Sequence, residues 1–309
     1  MKHSKKLAFA AVLAVTTTVL AACGGSGGGG NGTIAGKMVL GAAPEFKTRV
    51  DGVPGLAKAY DVHFKGFKAL DAGGPLTINA LKNGQIDAAN IFTTDPSIDA
   101  DHFVVLQDPK NLYAAQNVVP LINKAKATPG VAATLNAISA KLTTDDLVHL
   151  NIQVITDKKD PKTVAQQWLS DKGLATSGTK AAGVHLTVGS ANFQESVVLA
   201  EIYAQALQAQ GASVSTKLNI GSRETYIPGL IDNSIDLVPE YSGVLLQYFD
   251  KKATAVSSND VYAALQKATP SKLEVLDQSQ AQDKDAIVVT EATAKKYHLT
   301  TIADLAKKG

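Results

Sequence analysis

The stretch IDLVPEYSG (residues 235–243) and a second stretch of the same form, IDAANIFTT (residues 86–94), decide the fold class. Each begins with Ile-Asp, and five positions after the aspartate an aromatic residue is followed by a hydroxyl residue. These pairs are Tyr241-Ser242 and Phe92-Thr93. Short apolar runs that end in turn residues are typical of buried strands. The sequence therefore predicts two similar units, each with a strand that ends at an aromatic ring.

The sequence around each stretch repeats one plan of strand, helix, turn and strand. LTVGS (residues 186–190) predicts a strand, and residues 199–207 carry apolar side chains at helical spacing. Asn192 and Glu195 have the spacing of a capping box at the start of that helix. In the other unit, MVLGA (residues 38–42) predicts a strand, and a helical stretch follows later in that unit. This alternation predicts an α/β fold with parallel strands.

The two units also match in spacing, since nearly the same distance separates Gly41 from Asp87 and Gly189 from Asp236. Ligands of open α/β sheets bind beyond the carboxyl ends of the strands. We therefore expect both aromatic rings and the hydroxyl groups of Thr93, Thr94 and Ser242 to face one cleft between two lobes. The alternative is that the rings are ordinary core residues and that the hydroxyl groups cap helices.

The N-terminal residues predict export and membrane anchoring. MKHSKK is basic, an apolar run follows, and Leu20-Ala21-Ala22-Cys23 resembles the lipobox of bacterial lipoproteins. The interpretation is a signal peptide over residues 1–22, a lipid on Cys23 and a glycine-rich tether over residues 23–32. The protein would then lie in the cell envelope, at the outer face of the cytoplasmic membrane. An ordinary signal peptide with a chance cysteine is the alternative.

Composition excludes several classes of function. The formal net charge is +2 and 45% of the residues are hydrophobic, which fits a globular protein and offers no concentrated basic face for nucleic acid. Cys23 is the only cysteine, so neither a disulfide within the chain nor a thiolate metal site is expected. The histidines are isolated and no phosphate-binding glycine motif is present. We predict neither a catalytic site nor a metal or cofactor site.

Six segments of the chain resemble the osmoprotectant-type substrate-binding proteins of ABC importers, which bind glycine betaine, choline and carnitine. These segments are GSANFQES, SRETYIPGLIDNSIDLVPEYSG, DKDAIVVT, LGAAPEFKTR, LDAGGPLTINALKNGQIDAANIFTTDPSI and AAQNVVPLI. The resemblance implies a two-lobed periplasmic-binding-protein-like fold of type II, with the ligand cleft between the lobes. It also implies a monomer that captures a small quaternary ammonium compound or zwitterion and delivers it to an ABC permease.

The resemblance further implies a cage of tyrosines at strand exits. Tyr241 matches one of them, Phe92 lies where many members have another, and Gln116 or Asn117 takes the place of a third. Ala191 replaces a lysine that is common in the family. These differences favour a ligand with more polar groups than glycine betaine. Further candidates, which contact the ligand or hold the loops around it, are Glu45, Arg49, Asn192, Arg223 and Tyr226.

The order of the segments departs from that of the family. Residues 184–309 resemble the family's N-terminal part and residues 33–175 its C-terminal part, which predicts a circular permutation with the former termini joined near residues 175–183. The predicted lobes are residues 33–118 plus 285–309, and residues 120–283. An enzyme or transferase on the same fold, or a permuted ligand sensor, is the alternative function.

Overall fold

The computed structural model describes residues 32–309. The predicted signal peptide, the lipidation site at Cys23 and the tether up to residue 31 lie outside the described residues. The described strands are β1 (Val39–Ala42), β2 (Gly66–Ala69), β3 (Ala88–Phe92), β4 (Phe103–Val105), β5 (Val118–Asn123), β6 (His185–Gly189), β7 (Ser213–Lys217), β8 (Leu237–Tyr241), β9 (Leu273–Val275) and β10 (Asp285–Thr290).

Helices connect these strands and cover the sheets. They are α1 (Val53–Tyr60), α2 (Pro75–Lys82), α3 (Ser97–Ala100), α4 (Pro129–Ser139), α5 (Thr144–Asn151), α6 (Pro161–Asp171), α7 (Gln194–Ala209), α8 (Arg223–Ile231), α9 (Ser242–Phe249), α10 (Ser258–Ala268) and α11 (Glu291–Tyr297). A π-helical turn, Ile152–Thr156, extends α5. None of the helices in residues 32–309 combines the length and hydropathy that crossing a bilayer requires.

The strands form two five-stranded sheets, in the orders β2-β1-β3-β10-β4 and β7-β6-β8-β5-β9. The expected α/β fold is confirmed, and β1 pairs with β2 and β3, and β6 with β7 and β8, in parallel. The remaining strands β10 and β5, which lie outside the two repeated units, run antiparallel to their neighbours. Each of these two strands enters its sheet from the other lobe, so it begins at the edge where the parallel strands end.

The two segments that cross between the lobes lie side by side. Asn117 and Gln282 form an antiparallel bridge. The backbone N–H of Val118 donates to the carbonyl of Ala281 at 3.0 Å, and that of Asp283 donates to the carbonyl of Gln116 at 3.2 Å. Two adjacent crossovers of this kind allow one lobe to rotate against the other about a narrow hinge.

The repeated Ile-Asp pair has a structural role that is the same in both lobes. The Asp87 carboxylate accepts the backbone N–H of Val39 at 2.8 Å, and the Asp236 carboxylate accepts that of Thr187, also at 2.8 Å. Both aspartates lie just before their strands, at the edge of the sheet opposite the cleft. Each aspartate fixes the register of its own strand against the neighbouring strand. This shared contact explains why the two units have the same spacing.

Buried apolar side chains cover both faces of each sheet. On β3, Ala88 belongs to one apolar cluster, and Ala89 and Ile91 belong to another on the opposite face. A strand that is buried on both faces reads as a continuous apolar run, which is the pattern that both quoted stretches show.

The capping box predicted at the start of α7 is wrong. Phe193 is the N-cap residue of this helix, and no side chain caps it. Asn192 is exposed at the cleft instead. The Glu195 side chain is buried and hydrogen-bonded to residues far away in the sequence. The Glu195 side chain therefore makes tertiary hydrogen bonds in place of the local capping bond at the start of α7.

Candidate ligand-binding cleft

A cleft separates the two lobes where the carboxyl ends of β3 in one lobe face those of β6 and β8 in the other. Two of its compartments meet at the strand ends, a larger one of about 350 Å³ and a smaller one of about 50 Å³. Residues that line both are Ala72, Phe92, Asn192, Phe193 and Asp283. The larger compartment lies between the start of α2 and the π-helical turn after α5, and the smaller one between Arg49 and Arg223. A further cavity of about 440 Å³ lies on the other side of Arg49 and Arg223.

Three aromatic rings form a row across this cleft. The Phe92 and Phe193 ring centroids are 5.3 Å apart, and those of Phe193 and Tyr241 are 6.0 Å apart, both tilted. These separations are typical of interacting rings. Phe92 comes from one lobe and the other two from the opposite lobe, so this aromatic row (Phe92, Phe193, Tyr241) joins the lobes at the point that the strand-exit rule predicts.

Phe193 is a residue that the sequence reasoning missed. It follows the carboxyl end of β6, within the GSANFQES segment, so the rule that selected Phe92 and Tyr241 would also have found it. Gly73 shapes the same region. Its φ is +65°, and a Cβ atom there would lie 3.1 Å from a Phe92 ring carbon, so both the backbone and the ring require glycine.

A buried polar network lies beside the aromatic row and ties the lobes together. The Glu195 carboxylate accepts the Tyr241 hydroxyl at 2.6 Å, the Thr94 hydroxyl at 2.7 Å and the Asn151 amide at 2.6 Å. Thr94 follows β3 in one lobe, whereas the other three residues belong to the opposite lobe. Glu195 is only 3% exposed, and burial raises the pKa of its carboxyl although these hydrogen bonds oppose the shift. Burial and the nearby Glu195 charge also raise the pKa of the Tyr241 hydroxyl well above its usual value.

Asp283 is a second buried carboxylate at the same place, and it lies on a crossover. Its Oδ1 accepts the backbone N–H of Thr94 at 3.1 Å and the hydroxyl of Thr93 at 3.3 Å. It is 4% exposed and lines both compartments. Burial first, and then the charge of Glu195, raises its pKa well above the usual value of an aspartate.

One arginine from each lobe lines the smaller compartment, and each is already paired. The Arg49 guanidinium bonds Asp51 at 2.5 Å and Asp285 at 2.6 Å. The Arg223 guanidinium bonds Glu240 at 2.8 Å. Burial opposes the charge of both arginines, but these carboxylates outweigh it, and the net pKa of each is raised.

The other predicted residues divide into two groups. Glu45, Gln116, Asn192 and Tyr226 line the smaller compartment. The Gln116 side-chain oxygen Oε1 accepts the backbone N–H of Val244 at 3.0 Å, and the Tyr226 hydroxyl donates to the buried Glu240 carboxylate, with which Arg223 pairs. These four side chains form the wall on the side of the arginines.

Asn117, Ser242 and Thr93 lie outside the lining of both compartments. The Asn117 amide donates to the carbonyl of Ser279 at 2.8 Å, and the Ser242 hydroxyl accepts the backbone N–H of Asn117 at 3.0 Å. The Thr93 hydroxyl accepts the backbone N–H of Lys284 at 2.9 Å. These side chains hold the crossovers in place, which favours a structural role for all three.

The architecture of two mixed α/β sheets facing across a cleft, linked by two crossovers, is that of a two-lobed periplasmic binding protein. Residues 31–171 and 184–309 match a family model described as the substrate binding domain of ABC-type glycine betaine transport systems. The chain belongs to this family.

Individual relatives match shorter parts of the chain. It is 32% identical over 136 residues to an ergothioneine transport permease/ergothioneine binding protein of Helicobacter pylori (strain G27), which covers 43% of this chain and 24% of the relative. It is 31% identical over 121 residues to a carnitine transport binding protein of Listeria monocytogenes serotype 1/2a, which covers 38% and 39%. The chain thus spans less than half the length of either relative. A solved ancestral arginine-binding protein aligns over 87% of this chain and 90% of its own, with 13% identity and a TM-score of 0.44.

Proposed function

We propose that this chain binds a small quaternary ammonium compound or zwitterion between its lobes, closes around it and delivers it to an ABC permease. The observation that carries the proposal is the aromatic row of Phe92, Phe193 and Tyr241, which both lobes contribute at their strand exits. The family supports the role of solute receptor, which involves no covalent step.

The chemistry of a quaternary ammonium group fits this row. Such a group has no N–H to donate, so ring faces recognise it, at about 0.5–2 kcal/mol per ring depending on desolvation. Phe92 and Phe193 now contact each other across the cleft. A ligand that binds between these two rings separates them, and its binding energy then depends on the lobes closing over it again. The two relatives are described as binding ergothioneine and carnitine, which both carry a quaternary ammonium group.

We propose further that the protein acts as a monomer at the outer face of the bacterial cytoplasmic membrane. The support is in the sequence, where a basic and then apolar N-terminus precedes Cys23 and a glycine-rich tether. A lipid on Cys23 would hold the two lobes close to the permease while the tether leaves them free to turn.

We also propose that the order of the segments is circularly permuted. The family model matches the chain in two blocks, and residues 172–183 between them remain outside it. Thr33 and Lys308 form a bridge, and the backbone N–H of Ile34 donates to the carbonyl of Lys307 at 2.8 Å. A reordered chain that joins residue 309 to residue 33 and opens within residues 175–183 should keep the melting temperature and ligand affinity. Loss of folding in that chain would contradict the permutation.

A thermal-shift screen tests the binding function. The panel contains choline, glycine betaine, carnitine, proline betaine and ergothioneine, each in large excess, against protein that starts after residue 23. A ligand at about 100 times its Kd adds about 2.7 kcal/mol, so at least one compound should raise the melting temperature by about 5–10 °C.

The matched control for this screen is 3,3-dimethyl-1-butanol, which has the shape of choline without its charge. It should shift the melting temperature much less than choline does, because ring faces attract the cation and not the isostere. If none of the ammonium compounds raises the melting temperature, the proposed binding function is contradicted. Recovery of a chemically altered ligand would favour the enzyme alternative.

A further inference from the structure

Two buried carboxylates in the cleft have no counter-charge. Glu195 and Asp283 form no ion pair with a basic side chain in residues 32–309, although both are almost fully buried. Neutral donors satisfy both oxygens of Glu195. The Asp283 Oδ2 accepts no hydrogen bond from the described residues, and its side chain lines both compartments. The cleft therefore contains a carboxylate oxygen, on a side chain that is only 4% exposed, that is open to a ligand.

The basic groups nearby do not supply the missing charge. Arg49 and Arg223 are two cations against the three carboxylates that bond them, Asp51, Asp285 and Glu240. Lys158 and Lys159 are exposed, and Lys159 pairs with Asp157 at 3.4 Å, so solvent screens them. The charges that act on Asp283 are those of Glu195 and Asp285, and Asp283 in turn acts on Tyr241. The other charged and titratable side chains that line the compartments with Asp283 are Asp71, Asp95, Lys158, Lys159 and Asp160 in the larger one, and Glu45, Arg49, Arg223 and Tyr226 in the smaller one.

We infer that the cleft prefers ligands with a net positive charge to zwitterions with the same ammonium head group, and that Asp283 together with Glu195 is the specificity determinant. The inference deepens the proposed function and rests on it. A cation on the aromatic row would supply the counter-charge that the two carboxylates lack. The carboxylate of a zwitterion would add a further negative charge to a cleft whose arginines are already neutralised.

The same geometry couples binding to protons. Without ligand, burial disfavours the ionised forms of Asp283 and Glu195, so their pKa values are raised. A bound cation favours the ionised forms and lowers these pKa values again. Binding then releases protons where the pH lies between the ligand-bound and the ligand-free pKa, and affinity increases as the pH rises across that range.

Isothermal titration calorimetry of the whole soluble protein tests the inference, with choline and glycine betaine as probes. We expect choline to bind at least tenfold more tightly than glycine betaine. We also expect its affinity to increase as the pH rises from the acidic side towards neutrality, because binding lowers the raised pKa values of the two carboxyls. Choline titrations in two buffers of different ionisation enthalpy should show proton release at the lower pH.

Asp283→Asn is the variant that assigns the effect. The amide resembles the protonated acid, so the fold should be retained. The protein should lose most of its preference for choline over glycine betaine, and its affinity for choline should depend less on pH. Asp145→Asn removes an exposed carboxylate from the same lobe, outside the cleft lining, and should change neither.

The outcomes separate the two levels of the proposal. If neither probe binds and no other compound of the panel does, the proposed function fails. If both bind and glycine betaine binds as tightly as choline, the cation preference is overturned and the receptor function stands. If choline binds more tightly but no protons are exchanged, the cation preference stands and the coupling to protons is overturned. The measurements on unsubstituted protein distinguish these outcomes even if Asp283→Asn does not fold.

Discussion

Replacing Arg223 with methionine should lower the free energy of unfolding by about 3–5 kcal/mol, the cost of leaving a buried charge without its partner. Glu240 is 0% exposed and accepts bonds from the Arg223 Nε at 3.1 Å and Nη2 at 2.8 Å. Its other donors are the Tyr226 hydroxyl at 2.7 Å and the backbone N–H of Tyr241 at 3.0 Å. Without the guanidinium, only neutral donors face this carboxylate. Urea unfolding at neutral pH measures the change.

Two companion variants make the Arg223 result specific. Lys295→Met breaks an exposed ion pair with Glu291, which contributes at most about 1 kcal/mol, so its unfolding midpoint should hardly move. In the double variant Arg223→Met, Glu240→Gln, the orphaned charge is gone and much of the lost stability should return. A single Arg223 variant as stable as the lysine control would show that the ion pair with Glu240 does not stabilise the fold.

The sequence predicted the framework of the cleft because the framework depends on local patterns. Apolar runs that end in turn residues identified β3 and β8, and the rule for strand ends predicted that Phe92 and Tyr241 face one cleft. The antiparallel entry of β5 and β10 was not predictable from these runs. It depends on where the chain crosses between lobes, which a hydrophobic pattern does not record.

The polar half of the site could not be predicted for a related reason. Glu195 lies three positions after Asn192, so a capping box was the natural local interpretation. Its actual partners include Tyr241, 46 residues away, and Thr94, 101 residues away. Side-chain contacts over such separations leave no periodic signal in a single sequence. Gln116 was predicted only through the family resemblance, and the structure places it in the wall of the smaller compartment.

Replacing Phe193 with alanine should weaken ligand binding about 10- to 30-fold, which corresponds to about 1.4–2 kcal/mol. The ring lies between Phe92 and Tyr241, so its loss removes the centre of the aromatic row and the ring contact between the lobes. Phe193 is a better test than Tyr241, whose hydroxyl donates to Glu195. Tyr241 is 6% exposed, and replacing it with alanine would remove a hydrogen bond from the buried Glu195 carboxylate. That variant would lose stability as well as binding, and the two effects could not be separated.

Phe249→Ala is the matched control for this variant. Phe249 is also half-buried and also contacts a ring, that of Tyr248 at 5.6 Å, but it lies outside both compartments. Both variants should lose stability, because each removes a packed ring, and only Phe193→Ala should lose affinity for the best compound of the panel in calorimetry. Phe193→Tyr keeps a ring face in place and should restore most of the affinity. If Phe193→Ala binds as tightly as the unsubstituted protein, the ligand does not contact Phe193, and binding at the centre of the aromatic row is contradicted.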